Sequence, residues 1–300
     1  GYPVASLCLK SEAKRIKAKI DAGELPVDTA AGAAQAAPKE ITVAIASTFT
    51  TLDPYDASDT LSQTASKSFY EGLFTFDKDM KVIDALATDY KVSDDGLVYT
   101  VTLRKGVKFH DGSEFQADAV KANFDRVTNK ANGLKRYMLY QNIEKTEVVD
   151  PYTVRFTLKK PFSSFINQLA HPAGVMICPS TLANKTNKQI AFEPCGTGPY
   201  TLDKYNPSEG MRVVKNPNYW QAGFPKLDAI NWKPVVENST RVAMLLTGEA
   251  QFAFPLPAEQ VKQVQGKDQV RLDITPSIIL RYVEMNMSKK PFQDKRVREA

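Results

Sequence analysis

Arg136 and Tyr137 stand side by side in Leu134-Lys135-Arg136-Tyr137, directly after the break offered by Gly133. An arginine can hold a carboxylate through two parallel hydrogen bonds, and a neighbouring tyrosine can stack on an amide plane. The pair can grip the end of a peptide-like anion but cannot break a bond. Arg281-Tyr282 repeats the pairing, and Ser58-Asp59-Thr60 supplies short polar side chains in a loop. On a strand, alternation puts Arg281 and Tyr282 on opposite faces, so at most one of them faces a ligand. Each group also has a plainer reading: ordinary loop polarity for residues 58–60, and a surface arginine beside a core tyrosine for Arg136-Tyr137. Met138 and Phe74 read as core.

Bond-breaking chemistry finds no constellation. The chain has two histidines, His110 and His171. His110 sits in a turn with Asp111, and His171 ends a helix before Pro172, where a cation suits the dipole. No H-x-x-x-H, H-E-x-x-H or C-x-x-C is present, so no metal site is expected. There is no G-x-S-x-G elbow and no phosphate-cradling glycine loop. Paired carboxylates such as Asp94-Asp95 fall in turns, where aspartate is common anyway. The expectation is a binding protein without a cofactor, not an enzyme. Of 300 residues, 43% are hydrophobic and 24% charged, as in a globular chain, and the net charge is +5. Lysines and arginines are scattered outside residues 10–19, so nucleic acid is not an expected partner. The mild excess favours an anionic ligand. No run of 18 apolar residues is present.

The elements that must position these residues are legible from period and punctuation. In Leu97–Leu103, Leu97, Tyr99, Val101 and Leu103 alternate with Val98, Thr100 and Thr102, which is a half-buried strand. Asp94-Asp95-Gly96, Arg104-Lys105-Gly106 and His110-Asp111-Gly112 make turns around it. Further strands are expected at Ile41–Ala46, Gly174–Ile177, Val270–Thr275 and Leu280–Met285. Hairpins are expected at 147–158, about Asp150-Pro151, and at 200–215, about Ser208-Glu209-Gly210. Helices are expected at Gln63–Gly72, Ala117–Val127, Leu134–Tyr140 and Phe162–His171, the last with Phe162, Phe165, Ile166 and Leu169 inward, and another is capped by Asn238. Strands and helices mix and hairpins abound, so a purely parallel doubly wound sheet is disfavoured. Residues 1–38 read as a loosely ordered tail outside the fold: Leu9, Ala13, Ile16 and Ile20 lie at helical spacing, followed by an Ala-rich tether. Val4–Leu9 is too short for a signal sequence's apolar middle, although Ala34-Gln35-Ala36 reads like a cleavage site.

Six segments resemble, in order, the bacterial extracytoplasmic solute-binding receptors of the ABC importers for peptides, nickel complexes and glutathione (family 5). They are Thr51-Leu52-Asp53-Pro54, the strand-and-turn stretch 84–115, Gly196-Thr197-Gly198-Pro199-Tyr200, Asn216-Pro217-Asn218-Tyr219-Trp220, Thr240-Arg241 with Leu246-Thr247-Gly248-Glu249-Ala250, and Lys295–Ala300. Within the family, FTTLDPYDA, LKRY, TGEAQFAFP and PSI are similar to the glutathione-binding branch.

The resemblance implies a mixed α/β, bilobal periplasmic-binding-protein fold of type II-like architecture, truncated before most of its third domain. It places domain I at 39–68 and 196–280, an inserted α+β domain II at 69–195, and the start of domain III at 281–300. It implies that Ser58, Asp59, Thr60, Arg136, Tyr137, Arg281 and Tyr282 are ligand-binding candidates around a cleft. Residues for the ends of a peptide are implied in the third domain. The implied function is a monomeric periplasmic receptor that delivers glutathione or a short peptide to an ABC permease in the inner membrane. The alternative is a dipeptide or oligopeptide receptor, or a chaperone or sensor of the same fold. Cys178 and Cys195 lie in segments near the family's crossing between the second and first domains. With Cys8 in the tail, a disulfide between them is expected in an oxidising compartment.

Overall fold

The computed structural model describes residues 4–9, 39–275 and 284–299. Its strands are β1 (Val4–Leu9), β2 (Glu40–Ile45), β3 (Phe74–Phe76), β4 (Val82–Asp84), β5 (Ala87–Val92), β6 (Val98–Leu103), β7 (Ile143–Asp150), β8 (Thr153–Leu158), β9 (Tyr200–Asn206), β10 (Gly210–Lys215), β11 (Ala229–Pro234), β12 (Phe252–Leu256) and β13 (Val270–Thr275). Its helices are α1 (Thr60–Ser66), α2 (Ala117–Thr128), α3 (Tyr137–Tyr140), α4 (Phe165–Leu169), α5 (Pro179–Asn184), α6 (Asn187–Ile190), α7 (Asn238–Thr247), α8 (Ala258–Val264) and α9 (Lys295–Glu299). None of these helices is long and apolar enough to cross a membrane.

Two sheets organise the chain. A seven-stranded sheet runs β13-β1-β12-β2-β11-β10-β9, so Glu40–Ile45 and Tyr200–Asn206 share one sheet across the intervening 150 or so residues. Within it β2 is parallel to both β11 and β12, and the outer pairs are antiparallel. A four-stranded antiparallel sheet, β5-β6-β8-β7, is built wholly from the segment between. In β6 the alternation appears as burial: Tyr99, Val101 and Leu103 are buried, while Val98, Thr100 and Thr102 are not. The buried side chains of both sheets join in one apolar core, with Val43, Ile45 and Val213 from the first and Val101, Val154 and Phe156 from the second. Helix α2 lies on this core through Val120, Phe124 and Val127.

Several expected elements differ from those observed. Val4–Leu9 is a strand paired antiparallel with β12 on one side and β13 on the other, so residues 1–38 are not wholly outside the fold. Six residues are too few for a secretion signal but enough for a strand. Of the residues read at helical spacing, Leu9 ends β1, while Ala13, Ile16 and Ile20 and the Ala-rich tether lie outside the described residues. The helix expected to end at Gly72 stops at Ser66, and Gly72 instead bridges Val175. A Cβ at Gly72 would sit 2.9 Å from Phe74 O and 3.0 Å from Gly174 O, so the glycine serves close backbone approach rather than a cap. The strand expected at Gly174–Ile177 is reduced to that isolated bridge. Helix α4 spans only Phe165–Leu169, and Phe162, expected inward, is exposed. Helix α7 is capped by Glu237, whose side chain accepts from Thr240 N–H, because Asn238 spends its side-chain oxygen on Arg241.

Candidate functional site

Neighbouring loops at the carboxyl ends of parallel strands form crevices, and in open α/β sheets ligands bind there. Here the relevant edge is the end of β2, β11 and β12. Val235 N–H donates to Ile45 O at 2.7 Å, which fastens β11 to β2 just past their ends. The buried guanidinium of Arg241 donates through Nη1 to Val235 O at 2.7 Å and Val236 O at 3.0 Å, and through Nη2 to Pro255 O at 3.0 Å. One side chain thus holds the exits of β11 and β12 together.

The chain leaves β2 into the loop 46–59, and a buried ion pair fixes that loop. Asp53 Oδ2 and Arg126 Nη2 are 2.5 Å apart, with side chains 1% and 10% exposed. Asp53 Oδ1 also accepts from Tyr55 N–H at 3.0 Å, and Tyr55 OH donates to Val175 O at 2.9 Å. Asp59 then ends the loop as the N-cap of α1, accepting from Ser62 N–H at 2.8 Å and Thr50 Oγ1 at 2.5 Å. Burial opposes its ionisation, yet these hydrogen bonds prevail and hold its carboxyl below the ordinary range.

Arg136 docks against this loop. Its backbone N–H donates to Tyr55 O at 3.1 Å and its Nε–H to Ala57 O at 2.9 Å. Both terminal nitrogens of the guanidinium remain without a partner among the described residues. Gly133, at φ 64°, provides the left-handed step that turns the chain into this segment. The end of α4, with the turn that follows it, packs against α3: Tyr140 OH donates to Gln168 O at 3.3 Å, and the Gln168 amide donates to Leu139 O. His171 lies in that turn. Its Nδ1 accepts from Ala173 N–H at 3.0 Å, which places the ring proton on Nε2. Burial, with the Arg136 charge beside it, pushes its pKa down to about 4.

The candidate residues therefore separate. Ser58 is exposed next to Arg136's anchor at Ala57, and Tyr137 is half-buried at the start of α3. Asp59 is committed to capping, and Thr60 is exposed, its carbonyl accepting from Thr64 Oγ1 at 2.8 Å. Arg281 and Tyr282 lie outside the described residues. Met138, expected in the core, is 68% exposed beside Tyr137, while Phe74 is buried. His171, expected as a cation at a helix end, follows the helix, accepts from Ala173 N–H, and is pushed toward its neutral form by burial; spacing alone gives no such signal.

Cys178 and Cys195 are joined, with Cα atoms 5.4 Å apart. Asp111 lies close to their sulfurs, but a disulfide offers no thiolate for a metal. A cavity of 530 Å³ lined by residues such as Val264, Lys267 and Leu272 opens at the β13 edge of the sheet, not at Arg136.

Residues 81–300 match the family described as bacterial extracellular solute-binding proteins, family 5 Middle. The glutathione-binding protein GsiB of Salmonella choleraesuis is 60% identical over 264 residues, which are 88% of this chain and 51% of that protein. GsiB of Escherichia coli O157:H7 is 58% identical over the same shares. Among solved structures, the chain is similar to the Helicobacter pylori periplasmic binding protein DppA in complex with the peptide STSA (TM-score 0.69, 30% identity, 75% of this chain and 48% of that one). It is also similar to a dipeptide-binding protein from Pseudoalteromonas sp. SM9913 in complex with Met-Leu (TM-score 0.71, 27% identity, 76% and 50%). The chain spans about half the length of the relatives it matches.

Proposed function

Since the chain belongs to family 5 of the bacterial extracellular solute-binding proteins, we propose that the full-length protein is the substrate-binding receptor of an ABC importer. It captures glutathione first, and short peptides second, in a cleft at the carboxyl edge of β2, β11 and β12, and delivers them to a membrane permease. The similarity to proteins named for glutathione binding, and to structures holding a tetrapeptide and a dipeptide, supports this ligand class. The observation that carries it is Arg136: its Nε is fixed by Ala57 O, and its two terminal nitrogens are left to clamp a carboxylate. Ser58 and Tyr137 flank it as further contacts.

The segments 39–68 and 196–280 act as one lobe with the inserted 69–195, and residues 281–300 lead into the opposing lobe. Ligand contacts both lobes only when they close, so binding shifts the population toward the closed state. The receptor works as a monomer outside the cytoplasm, where the Cys178–Cys195 bridge persists. Full-length protein carrying Arg136→Ala is expected to lose at least about tenfold in glutathione affinity, about 1.4 kcal/mol. An unchanged titration curve would remove Arg136 from the site.

A further inference from the structure

Asp111, Cys178 and Cys195 come from three separate segments, and each brings a ligand atom within 4.8 Å of the other two. They form no motif in the sequence; only the fold brings them together. Backbone contacts hold them in place independently of the bridge. Cys178 N–H donates to Cys195 O at 2.9 Å, and His110 N–H donates to Gly196 O at 2.8 Å. Gly196 N–H returns a bond to His110 Nδ1 at 3.3 Å. Gly196 is tightly packed, because a Cβ there would meet Phe69 O and lie 2.5 Å from Tyr70 Cδ1. The residues next to Asp111 and Cys195 are thus paired whether or not the sulfurs are joined.

Asp111 is oriented as a ligand would be. Its Oδ1 accepts from Ser113 N–H at 3.0 Å and from the Ser113 hydroxyl at 2.6 Å. Its Oδ2 accepts from the Ser180 hydroxyl, and a carboxylate oxygen has a second lone-pair site for a metal. Hydroxyls of this kind, outside the ligand set, fix the direction of a ligating carboxylate. Burial opposes ionisation of Asp111, yet these hydrogen bonds prevail and hold its carboxyl below the ordinary range. Cys178 is buried, Cys195 half-buried and Asp111 exposed, so the cluster opens to solvent on one side.

We propose that Cys178, Cys195 and Asp111 form a zinc site gated by the redox state of the Cys178–Cys195 bridge. The proposal stands on these residues and does not depend on the receptor reading. Oxidised, the sulfurs bond to each other and offer no thiolate. A dithiol reaching the bridge from the Cys195 side gives it two electrons and two protons, closes its own disulfide and leaves two cysteine thiols. Zn2+ then displaces both protons to solvent, and the two thiolates, the Asp111 carboxylate and a water complete a tetrahedron. Zn–S bonds of about 2.3 Å and Zn–O bonds of about 2.0–2.2 Å set such ligand atoms about 3.6–3.8 Å apart. The three atoms already lie within 4.8 Å of one another, and the Cα separation of 5.4 Å lets the sulfurs part by side-chain rotation. Two thiolates beside one carboxylate select a borderline ion over calcium or magnesium, which take oxygen ligands.

The test is equilibrium dialysis of the full-length protein against zinc, before and after reduction. A phosphine serves as reductant, ending as the phosphine oxide with an oxygen from water, because a dithiol would itself bind zinc. Reduced native protein should stay folded by circular dichroism and take up a single zinc ion per chain. With cadmium in place of zinc it should show a thiolate-to-metal charge-transfer band, and oxidised protein should do neither. Cys8→Ser should bind as the native protein does, Cys178→Ser should lose the site, and Asp111→Asn should bind at least about tenfold more weakly. Zinc should raise the urea midpoint of the reduced protein and leave that of the oxidised protein unchanged. Equal uptake by both redox forms, no uptake by the reduced form, unfolding on reduction, or undiminished binding by Asp111→Asn would overturn the proposal and leave the bridge a purely structural one.

Discussion

Asp53→Ala removes the carboxylate that holds the loop 46–59 against α2. Asp53 and Arg126 are almost wholly shielded from water, with side chains 1% and 10% exposed. Deleting one member of such a pair leaves the other charge buried and uncompensated, which costs about 3–5 kcal/mol. Arg126 keeps one hydrogen bond, from Nη2 to Asn187 Oδ1 at 2.8 Å, and its place over the Tyr55 ring, 5.8 Å from the centroid. The lower end of that range, about 3 kcal/mol, is therefore expected, an increase of roughly a hundredfold in the unfolding constant. Asp53→Asn should cost less, because an amide oxygen can still accept from Tyr55 N–H. A urea-denaturation cycle of Asp53→Ala, Arg126→Ala and the double variant should give a coupling of at least about 2 kcal/mol. The same loop supplies Tyr55 O and Ala57 O to Arg136, so on the proposed site Asp53→Ala should also weaken glutathione binding. Single variants costing under about 1 kcal/mol, or additive effects, would refute the view that this pair fixes the binding edge.

Gly198→Ala should destabilise by about 3 kcal/mol, because a Cβ there would lie 2.5 Å from Phe69 C and 2.7 Å from both Phe69 O and Ser68 O, and backbone must move; an unchanged Tm would contradict this. Glu71 accepts from Thr197 Oγ1 at 2.9 Å, Tyr219 OH at 2.7 Å and Trp220 Nε1 at 2.9 Å, so Glu71→Ala should cost at least about 2 kcal/mol in urea unfolding by leaving these donors unpaired. Burial raises the Glu71 pKa despite those bonds, so its contribution is fullest below the ordinary carboxylate pKa and is lost as pH rises through the raised value. The stability advantage of native protein over Glu71→Gln should accordingly shrink from pH 4 toward pH 7, and a gap that widens would reverse the assignment. Reducing the Cys178–Cys195 bridge, a sequence separation of 17, should lower stability by about 3 kcal/mol on the chain-entropy model, read as a lower urea midpoint in reductant.

Local chemistry made much of the fold legible. The period of two in Leu97–Leu103 is the burial pattern of β6, and the apolar face of α2 is the face on the core. Features set by distant segments were not legible. Gly72 looks like a helix cap in sequence, yet its role comes from the carbonyls of Phe74 and Gly174. Val4–Leu9 becomes a strand because β12 and β13 stand either side of it, more than 240 residues away in the chain. At the site, an Arg-Tyr pair after a glycine announces itself, but Ser58, Asp59 and Thr60 look alike as loop residues. Only the hydrogen bonds to Thr50 and Ser62 assign Asp59 to capping. His171 reads as a helix-end cation until its burial and the hydrogen bond from Ala173 N–H favour the neutral ring.

The most direct test of the receptor account is calorimetric titration of the full-length protein with reduced glutathione, oxidised glutathione and a panel of dipeptides. The account predicts saturable, stoichiometric binding of glutathione, tighter than that of any dipeptide in the panel. Dipeptides binding while neither form of glutathione gives a saturable signal would contradict it.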